Sequence, residues 1–411
     1  MDSQEDFEIT GTSERIYFEH LKVRKASGPD NISGRLLKTC SPQLCEIFSQ
    51  LFSWSVRDCT VPNLWKKSTI CPIPKNSKPT ILNDYRPVAL TSIVMKCFER
   101  IVLKRLLTQT CTKLDPYQFA YRQNRATDDA TLTLLQHVYN HLEKTGSFVR
   151  IVFVDFSSAF NTIQPHLLGH KLLNLSVRPD LILWLLDFLL CRSQTVCFQQ
   201  ALSSPMTTSS GAPQGTVLSP VLFTLYTNDC NGSDTTPLIK YSDDSALVDL
   251  SNSDQTYNSA VDKFSSRCKN NYLELNVKKT KEMVIDFRRK AHPVPDLFID
   301  GTLVERVHEY KYLGTILDDK LNFTANTESV HRKCQSRVYR LQKLRSLKVN
   351  RSVLGAFYKC FIETVLTFGF LCWYGSLNVQ NKNVLKRIVN VCGKVVGERM
   401  VSMDNCTNVE L

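Results

Sequence analysis

The feature that most constrains this chain is the position of its acids relative to its apolar strands. Residues 148–154 read FVRIVFV, the most β-like run in the sequence, and that run ends directly on Asp155. A second stretch, PLIKYSDDSALVDL over 237–250, reads as two short strands about a tight turn carrying Asp243 and Asp244. A carboxylate at the end of a buried strand is costly unless something cationic meets it. Neighbours on a regular strand point to opposite faces, but a hairpin turn relaxes that rule, so two adjacent acids can address one site. Three carboxylates converging in a sheet repel one another unless divalent cations lie between them. Mg²⁺ takes few protein carboxylates and keeps places for water and phosphate oxygens, which suits phosphoryl chemistry. Asp243 and Asp244 alone describe a solvated turn better than a site; Asp155 and a nearby glycine-bearing loop reverse that balance.

That loop is Gly211-Ala212-Pro213-Gln214-Gly215. Two glycines let backbone approach a ligand closely, and Gln214 brings an amide that both donates and accepts. Ser219 and Pro220 fit the N-cap and first position of a helix behind it. Elsewhere, 13–57 reads as helices around the turn Gly28-Pro29-Asp30-Asn31, and 66–90 as short strands and loops. Helical periods cover 91–108, 127–144, 166–192 and 254–272. Strands are expected in KEMVIDF and YKYLGTIL, followed by a largely helical end. Helices interleaved with antiparallel hairpins predict an α+β chain.

In this order and spacing, FVDFSSAFNTI, GAPQGTVLSPVLFTLYTND, YSDD, LELNVKKTKEM and EYKYLGTIL resemble the reverse transcriptase blocks of non-LTR (LINE-type) retrotransposons. Upstream, KASGPDNI, IPK, DYRPVAL and QFAYRQNRATDDA resemble the earlier blocks of that family. The resemblance runs from about Lys25 to Leu317, and the helical tail to about Gly397 is also similar. It implies a right-hand polymerase fold with fingers, an antiparallel-sheet palm and a helical thumb. The implied domains are a mostly helical N-terminal extension over 1–55, fingers and palm over 56–317, and a basic thumb and tail over 318–411. The implied activity is RNA-directed DNA synthesis: the primer 3′-hydroxyl attacks the α-phosphorus of a deoxynucleoside triphosphate under two Mg²⁺ (or Mn²⁺), and pyrophosphate leaves. The alternative is a truncated or domesticated retroelement product that binds RNA or RNA–DNA hybrid without polymerising. Elements of this kind carry an endonuclease upstream, and neither an endonuclease nor a zinc-knuckle spacing is visible in these 411 residues, in keeping with a truncated copy.

Position by position, the resemblance makes Asp155, Asp243 and Asp244 the metal-binding aspartates. Phe160 becomes the aromatic under the sugar, whose bulk would exclude a 2′-hydroxyl, and Gln214 and Gly215 the loop near the nucleotide and templating base. Lys75 and Arg86 would grip the triphosphate. Arg122 and Arg125 would touch template or phosphate, and either Lys279 or Lys281 would protonate the departing pyrophosphate. Tyr312, Leu313 and Gly314 would hold the primer end. Ser242 stands where the family usually has alanine, and Ala120 and Ala126 where a glycine and a serine are commoner. A glycine with positive φ at 120 would leave alanine strained.

Composition narrows the partners. Lys+Arg 51 against Asp+Glu 39 gives a formal net charge of +12, a surplus that argues for a polyanion. It is concentrated in a stretch without acids: Arg332, Lys333, Arg337, Arg340, Lys343, Arg345, Lys348 and Arg351. There Cys334, Val338, Leu341 and Leu344 mark one buried helix edge. With the thumb implied by the resemblance, Arg337, Arg340 and Lys343 become candidate contacts to the template–primer backbone. The cysteine count is odd (15), no pair forms C-x-x-C, and Cys71, Cys97, Cys360 and Cys372 sit in apolar settings. Reduced thiols inside a cell are expected. The start is acidic with no signal-peptide pattern, and the apolar runs DLILWLLDFLLC and VLTFGFLCWYG fall short of the ~20 residues of a span. A soluble, intracellular protein without a membrane partner is expected, with nucleus or cytoplasm and oligomeric state left open. His166 and His170 have i, i+4 spacing, but no glutamate follows His166 as a zinc helix would require.

Overall fold

Helical periodicity dominates the first hundred residues. The computed structural model describes residues 11–289 and 293–404. Helices α1 (Gly11–Glu19), α2 (Gly34–Thr39), α3 (Ser41–Arg57) and α4 (Asn63–Lys66) precede strands β1 (Ser68–Pro74) and β2 (Tyr85–Thr91). Then come α5 (Ile93–Thr110), α6 (Thr127–Leu142), β3 (Val149–Val154), α7 (Pro165–Asn174) and α8 (Pro179–Leu189). Strands β4 (Arg192–Phe198), β5 (Ala201–Leu202) and β6 (Met206–Thr208) lead to α9 (Ser219–Tyr226). The hairpin β7 (Leu238–Tyr241) and β8 (Asp244–Asp249), α10 (Asp254–Asn270) and β9 (Lys281–Ile285) follow. Short strands β10 (Phe298–Ile299), β11 (Thr302–Leu303) and β12 (Glu305–Arg306) precede β13 (Glu309–Tyr312) and β14 (Thr315–Asp318). The chain then turns helical: α11 (Thr324–Ser346), α12 (Arg351–Phe357), a π-helical turn over Tyr358–Glu363, α13 (Thr364–Thr367), α14 (Phe370–Trp373) and α15 (Val379–Val396). The fold is α+β.

Two compact units form, both discontinuous in sequence. The first takes the chain up to Arg122 together with Phe156–Asn231 and Ser266–Glu274. Its core is aromatic. Phe52 of α3 stacks on Phe98 of α5 at 4.2 Å, and Trp65 and Trp184 meet Phe98 edge-on. Trp184 spends its indole N–H on Ser55 Oγ at 2.9 Å, as a buried indole must. Asp187, the acid that interrupts the apolar run of α8, is neutralised by the buried Lys66 at 2.7 Å and accepts the Val61 N–H at 2.7 Å. The sheet of this unit runs β2-β1-β4-β5, with β6 also on β4.

The second unit takes Gln123–Asp155, Gly232–Ser265 and the chain from Leu275 onward. Its sheet runs β12-β9-β3-β8-β7. Strand β3 is central and buried along its whole length, antiparallel to both β8 and β9. Arg150 in the middle of that apolar strand is 1% exposed. It donates to Glu282 and Asp254 at 2.8 Å each and lies 4.1 Å from the Tyr257 ring, so the buried cation is fully met. Cys334 and Leu341 form the buried edge of α11, with Val338 and Leu344 half-buried beside them.

Three local expectations change. Helix α9 begins at Ser219 itself rather than being capped by it; the Ser219 hydroxyl turns back to the Pro213 carbonyl at 2.9 Å. Cys71 is half-buried and Cys360 exposed, whereas Cys97 and Cys372 are buried; among the described residues no disulfide forms. By length and composition alone the helical run Arg351–Trp373 suffices to cross a bilayer, although a third of its apolar window is buried and Gly369, at φ +61°, breaks it.

Candidate active site

The carboxylates are brought together by register. Val154 pairs with Ser245 across β3 and β8, so one step further out Asp155 stands opposite Asp244. Strands β7 and β8 close through the two-residue turn Ser242-Asp243, with Tyr241 paired to Asp244. Ser242 takes φ +61°, while Asp243 is not among the positive-φ residues; the primed hairpin turns demand such a twist at the first position. A small side chain is needed there because Ser242 is buried, and serine meets that need as alanine would. The crowding has an electrostatic signature: burial, then the charges of Asp243 and Asp155, push the Asp244 carboxyl up to about 6.

A cation faces the cluster. The Asp155 main chain is laced to the turn before β9, its carbonyl accepting from Asn276 N at 2.9 Å and its N–H directed at Thr280 Oγ1 at 3.4 Å. That lacing sets Lys279 Nζ 3.9 Å from Asp155 Oδ2. Lys281 is held elsewhere, 2.5 Å from Glu305 and 2.9 Å from the Lys278 carbonyl. Sequence left the two lysines equal; the geometry puts Lys279 at the acids. Among the described residues, no group of three His, Cys, Asp or Glu forms a ready-made metal cage. What fits a divalent ion here is the chemistry of the donors: oxygen ligands only, and a raised Asp244 that a cation would relieve.

The other expected nucleotide residues lie in the first unit, around the glycine loop. Ala89 of β2 donates to the Gln214 carbonyl at 2.7 Å, Gly211 N to Ile163 O at 2.7 Å, and Ala212 N to Phe160 O at 2.8 Å. Both glycines are obligatory. Gly211 has φ +68° and a Cβ there would lie 2.7 Å from Asn161 Cα; Gly215 has φ +111° and its Cβ would lie 2.9 Å from Ala89 O. Phe160 is half-buried, its ring 5.2 Å from Phe223. Lys75 and Arg86 are both exposed at the end of the β1–β2 pair closed by the connecting loop, where Ile73 pairs with Arg86. Sequence reading missed Arg192, whose buried guanidinium donates to the Ser210 carbonyl at 2.5 Å and to Gly211 O at 2.9 Å, holding the front of the loop. Burial lowers its pKa to about 10.

Residues 73–317 match the family described as reverse transcriptase (RNA-dependent DNA polymerase). The chain belongs to the reverse transcriptase family. Its relatives come from non-LTR mobile elements. It is 27% identical over 386 residues to the RNA-directed DNA polymerase from mobile element jockey of Drosophila melanogaster, covering 89% of this chain and 41% of that protein. It is 25% identical over 387 residues to the probable RNA-directed DNA polymerase from transposon BS of the same fly, covering 90% and 42%. The chain thus spans about two fifths of the length of the curated relatives it matches. A solved telomerase from Candida tropicalis, in complex with a fragment of telomeric RNA, aligns over 89% of this chain and 64% of that one at 13% identity, with a TM-score of 0.45.

Several residues expected at the reverse transcriptase's template and primer are occupied otherwise. Tyr312 is 2% exposed, its ring 5.4 Å from Phe153 and its hydroxyl without a hydrogen-bond partner, so it anchors its hairpin and does not present a surface. Leu313 and Gly314 are half-buried at the tip. Tyr310, which sequence reading missed, stacks on Phe153 at 4.0 Å; burial first, then Asp244 and Asp155, raise its hydroxyl pKa. Arg122 donates to the Asp115 and Gln118 carbonyls at 2.8 and 3.2 Å. Arg337 is half-buried and bonds the Phe361 carbonyl. Arg125, Arg340 and Lys343 are exposed. Ala120 is spared the strain a glycine-like φ would bring, because the positive φ falls on Tyr121 (+57°).

Proposed function

We propose that this chain is the polymerising part of a LINE-like reverse transcriptase, extending a DNA primer on an RNA template with deoxynucleoside triphosphates. The observation that carries this reading is Asp155 opposite Asp244, with Asp243 at the adjoining turn and Asp244 raised to about 6. Asp155, Asp243 and Asp244 would hold two Mg²⁺, or Mn²⁺. Such ions activate the attacking 3′-hydroxyl and support the leaving oxygen. The rest falls to side chains. Lys279, at the edge of the acids, delivers an Nζ proton to the departing pyrophosphate. Lys75 and Arg86 take the triphosphate oxygens, Arg as a fork and Lys as a point charge. Phe160 meets the sugar and rejects a 2′-hydroxyl, while Gln214 and Gly215 line the nucleotide. Anchored by Tyr312, the hairpin offers Leu313 and Gly314 to the primer end. The region 318–411 serves as thumb and tail, with Arg340 and Lys343 on the template–primer backbone and Arg125 on the template.

Primer extension on a primed homopolymer RNA, with Mg²⁺ and deoxynucleotides, tests the proposal. The parent should extend, and Asp243→Asn should lose extension by about a thousandfold or more while binding hybrid as the parent does. Equal extension by the two proteins would remove the site assignment.

A further inference from the structure

The glycine loop is held by contacts already described: Arg192 at Ser210 and Gly211, the Ile163 and Phe160 carbonyls at Gly211 and Ala212, the Ser219 hydroxyl at Pro213, and Ala89 at Gln214. A further tie is made by a buried acid. Glu99 of α5 is 0% exposed, and its Oε2 accepts the N–H groups of Val217 at 2.5 Å and Leu218 at 3.0 Å, where the loop runs into α9. Those N–H groups stand at the start of a helix, where backbone donors lack internal partners. Packing does not duplicate the contact. A cavity of about 10 Å³ lies at this place, lined among others by Glu99, Lys66, Thr91, Arg192, Pro213 and Thr216. Glu99 Oε1 has no hydrogen-bond partner, and neither has the buried Thr91 Oγ1. A buried carboxylate with one unsatisfied oxygen is retained against a desolvation cost. Burial pushes its carboxyl up to about 7, opposed by the two N–H groups and by Lys96 and Arg100. In either charge state Oε2 can accept.

We infer that Glu99 is the positioning residue of the nucleotide loop: by fixing Val217 and Leu218 it sets where Gln214 and Gly215 stand for the incoming deoxynucleotide. The inference rests on the proposed polymerase reading. Glu99 touches no reacting atom, so it acts on nucleotide affinity through the loop. Gly215, three residues from Leu218, has no side chain to hold it, and Gln214 is tied through its own carbonyl to Ala89. Removing the acceptor at Glu99 leaves the loop's far end to the Thr216 and Ser219 hydroxyls on the Pro213 carbonyl and leaves two helix-start donors unpaired.

Two substitutions separate acceptor from volume. Glu99→Gln keeps an oxygen able to take both N–H groups, whereas Glu99→Met fills the same space without one. In steady-state primer extension, Met should raise the KM for deoxynucleotide about tenfold with kcat changed less than about twofold, and Gln should stay within about threefold of the parent. Binding of the primed RNA template, measured separately, should be unchanged in both. If the Met protein does not fold, Glu99→Ala takes its place in the same comparison. A parental KM in the variant lacking the acceptor refutes the positioning role. So does a parallel fall in kcat and template binding, which would mean general destabilisation. A parent that extends no primer refutes the polymerase reading, and the positioning role with it; an active parent with an unaffected Met variant refutes the positioning role alone.

Discussion

If Asp155, Asp243 and Asp244 form an ion site, the metal-free protein is strained by its own charge, and removing one charge should stabilise the fold while ending catalysis. Asp244→Asn is the sharpest perturbation. The rise of its pKa from 3.8 to about 6 corresponds to about 3 kcal/mol if water were excluded. Asp244 is exposed, however, and solvent screening cuts this to about 1 kcal/mol. For a chain of this size that is a Tm increase of about 1–3 °C. The sign with pH follows from proton binding. A folded state that holds the Asp244 proton more tightly than the unfolded chain loses stability as pH rises from about 4 to about 6, and the whole penalty is present above that. The Asn variant should therefore out-melt the parent at pH 7.5 in chelator and match it near pH 4. Mg²⁺ should raise the Tm of the parent more than that of the variant, because bound cation offsets the charge only where the carboxylate remains. Thermal unfolding at the two pH values, with and without Mg²⁺, reads all of this without any activity assay. An Asn gain equal at both pH values, or a loss at pH 7.5 in chelator, would refute the reasoning.

Two further outcomes bear on nucleotide and template. Phe160→Val, which removes ring bulk beside Phe223, should raise ribonucleotide incorporation relative to deoxynucleotide at least about tenfold; unchanged sugar discrimination in single-nucleotide extension would count against the gate. Replacing the exposed Arg340 and Lys343 with Ala, and leaving Arg337 on its Phe361 carbonyl, should flatten the slope of log affinity against log salt for RNA–DNA hybrid by about 1–2. A slope equal to that of the parent would make that helix face ordinary solvated surface.

How much of this was legible in the sequence depended on whether a pattern was local. The hairpins over 237–250 and 309–318 were legible because period-two alternation and turn residues lie within a few positions. The pairing of Asp155 with Asp244 was not, since register across some ninety residues is decided by which strand becomes central; only the burial of all of β3 fixes it. Lys279 and Lys281 differ by two positions, yet one lies in the turn beside Asp155 and the other in β9 opposite Glu305, a distinction made by where a strand begins. The burial of Tyr312 was readable in its hairpin: in EYKY it alternates in phase with Tyr310, so both rings share the face packed on Phe153 and Lys311 points out. The same check separates Arg337, three after buried Cys334 and four before buried Leu341, from the exposed Arg340 and Lys343.

A charged residue that breaks an apolar period is the most useful signal of all. Met95, Glu99, Val102 and Leu106 step by four, three and four along one buried stripe of α5, so the acid at 99 is buried by periodicity before any partner is known. Asp187 in α8 and Arg150 in β3 break their apolar runs in the same way. Each is met where the sequence alone cannot point: by Lys66 and the Val61 N–H, and by Glu282 and Asp254. Burying an ionic group costs several kcal/mol, so each of the three must be tied to something it holds in place. For Asp187 and Arg150 that is the scaffold. Of the three, Glu99 is tied to backbone leaving the glycine loop, and its Oε1 is a buried oxygen with no hydrogen-bond partner. That difference is why Glu99 belongs with function and the other two with folding.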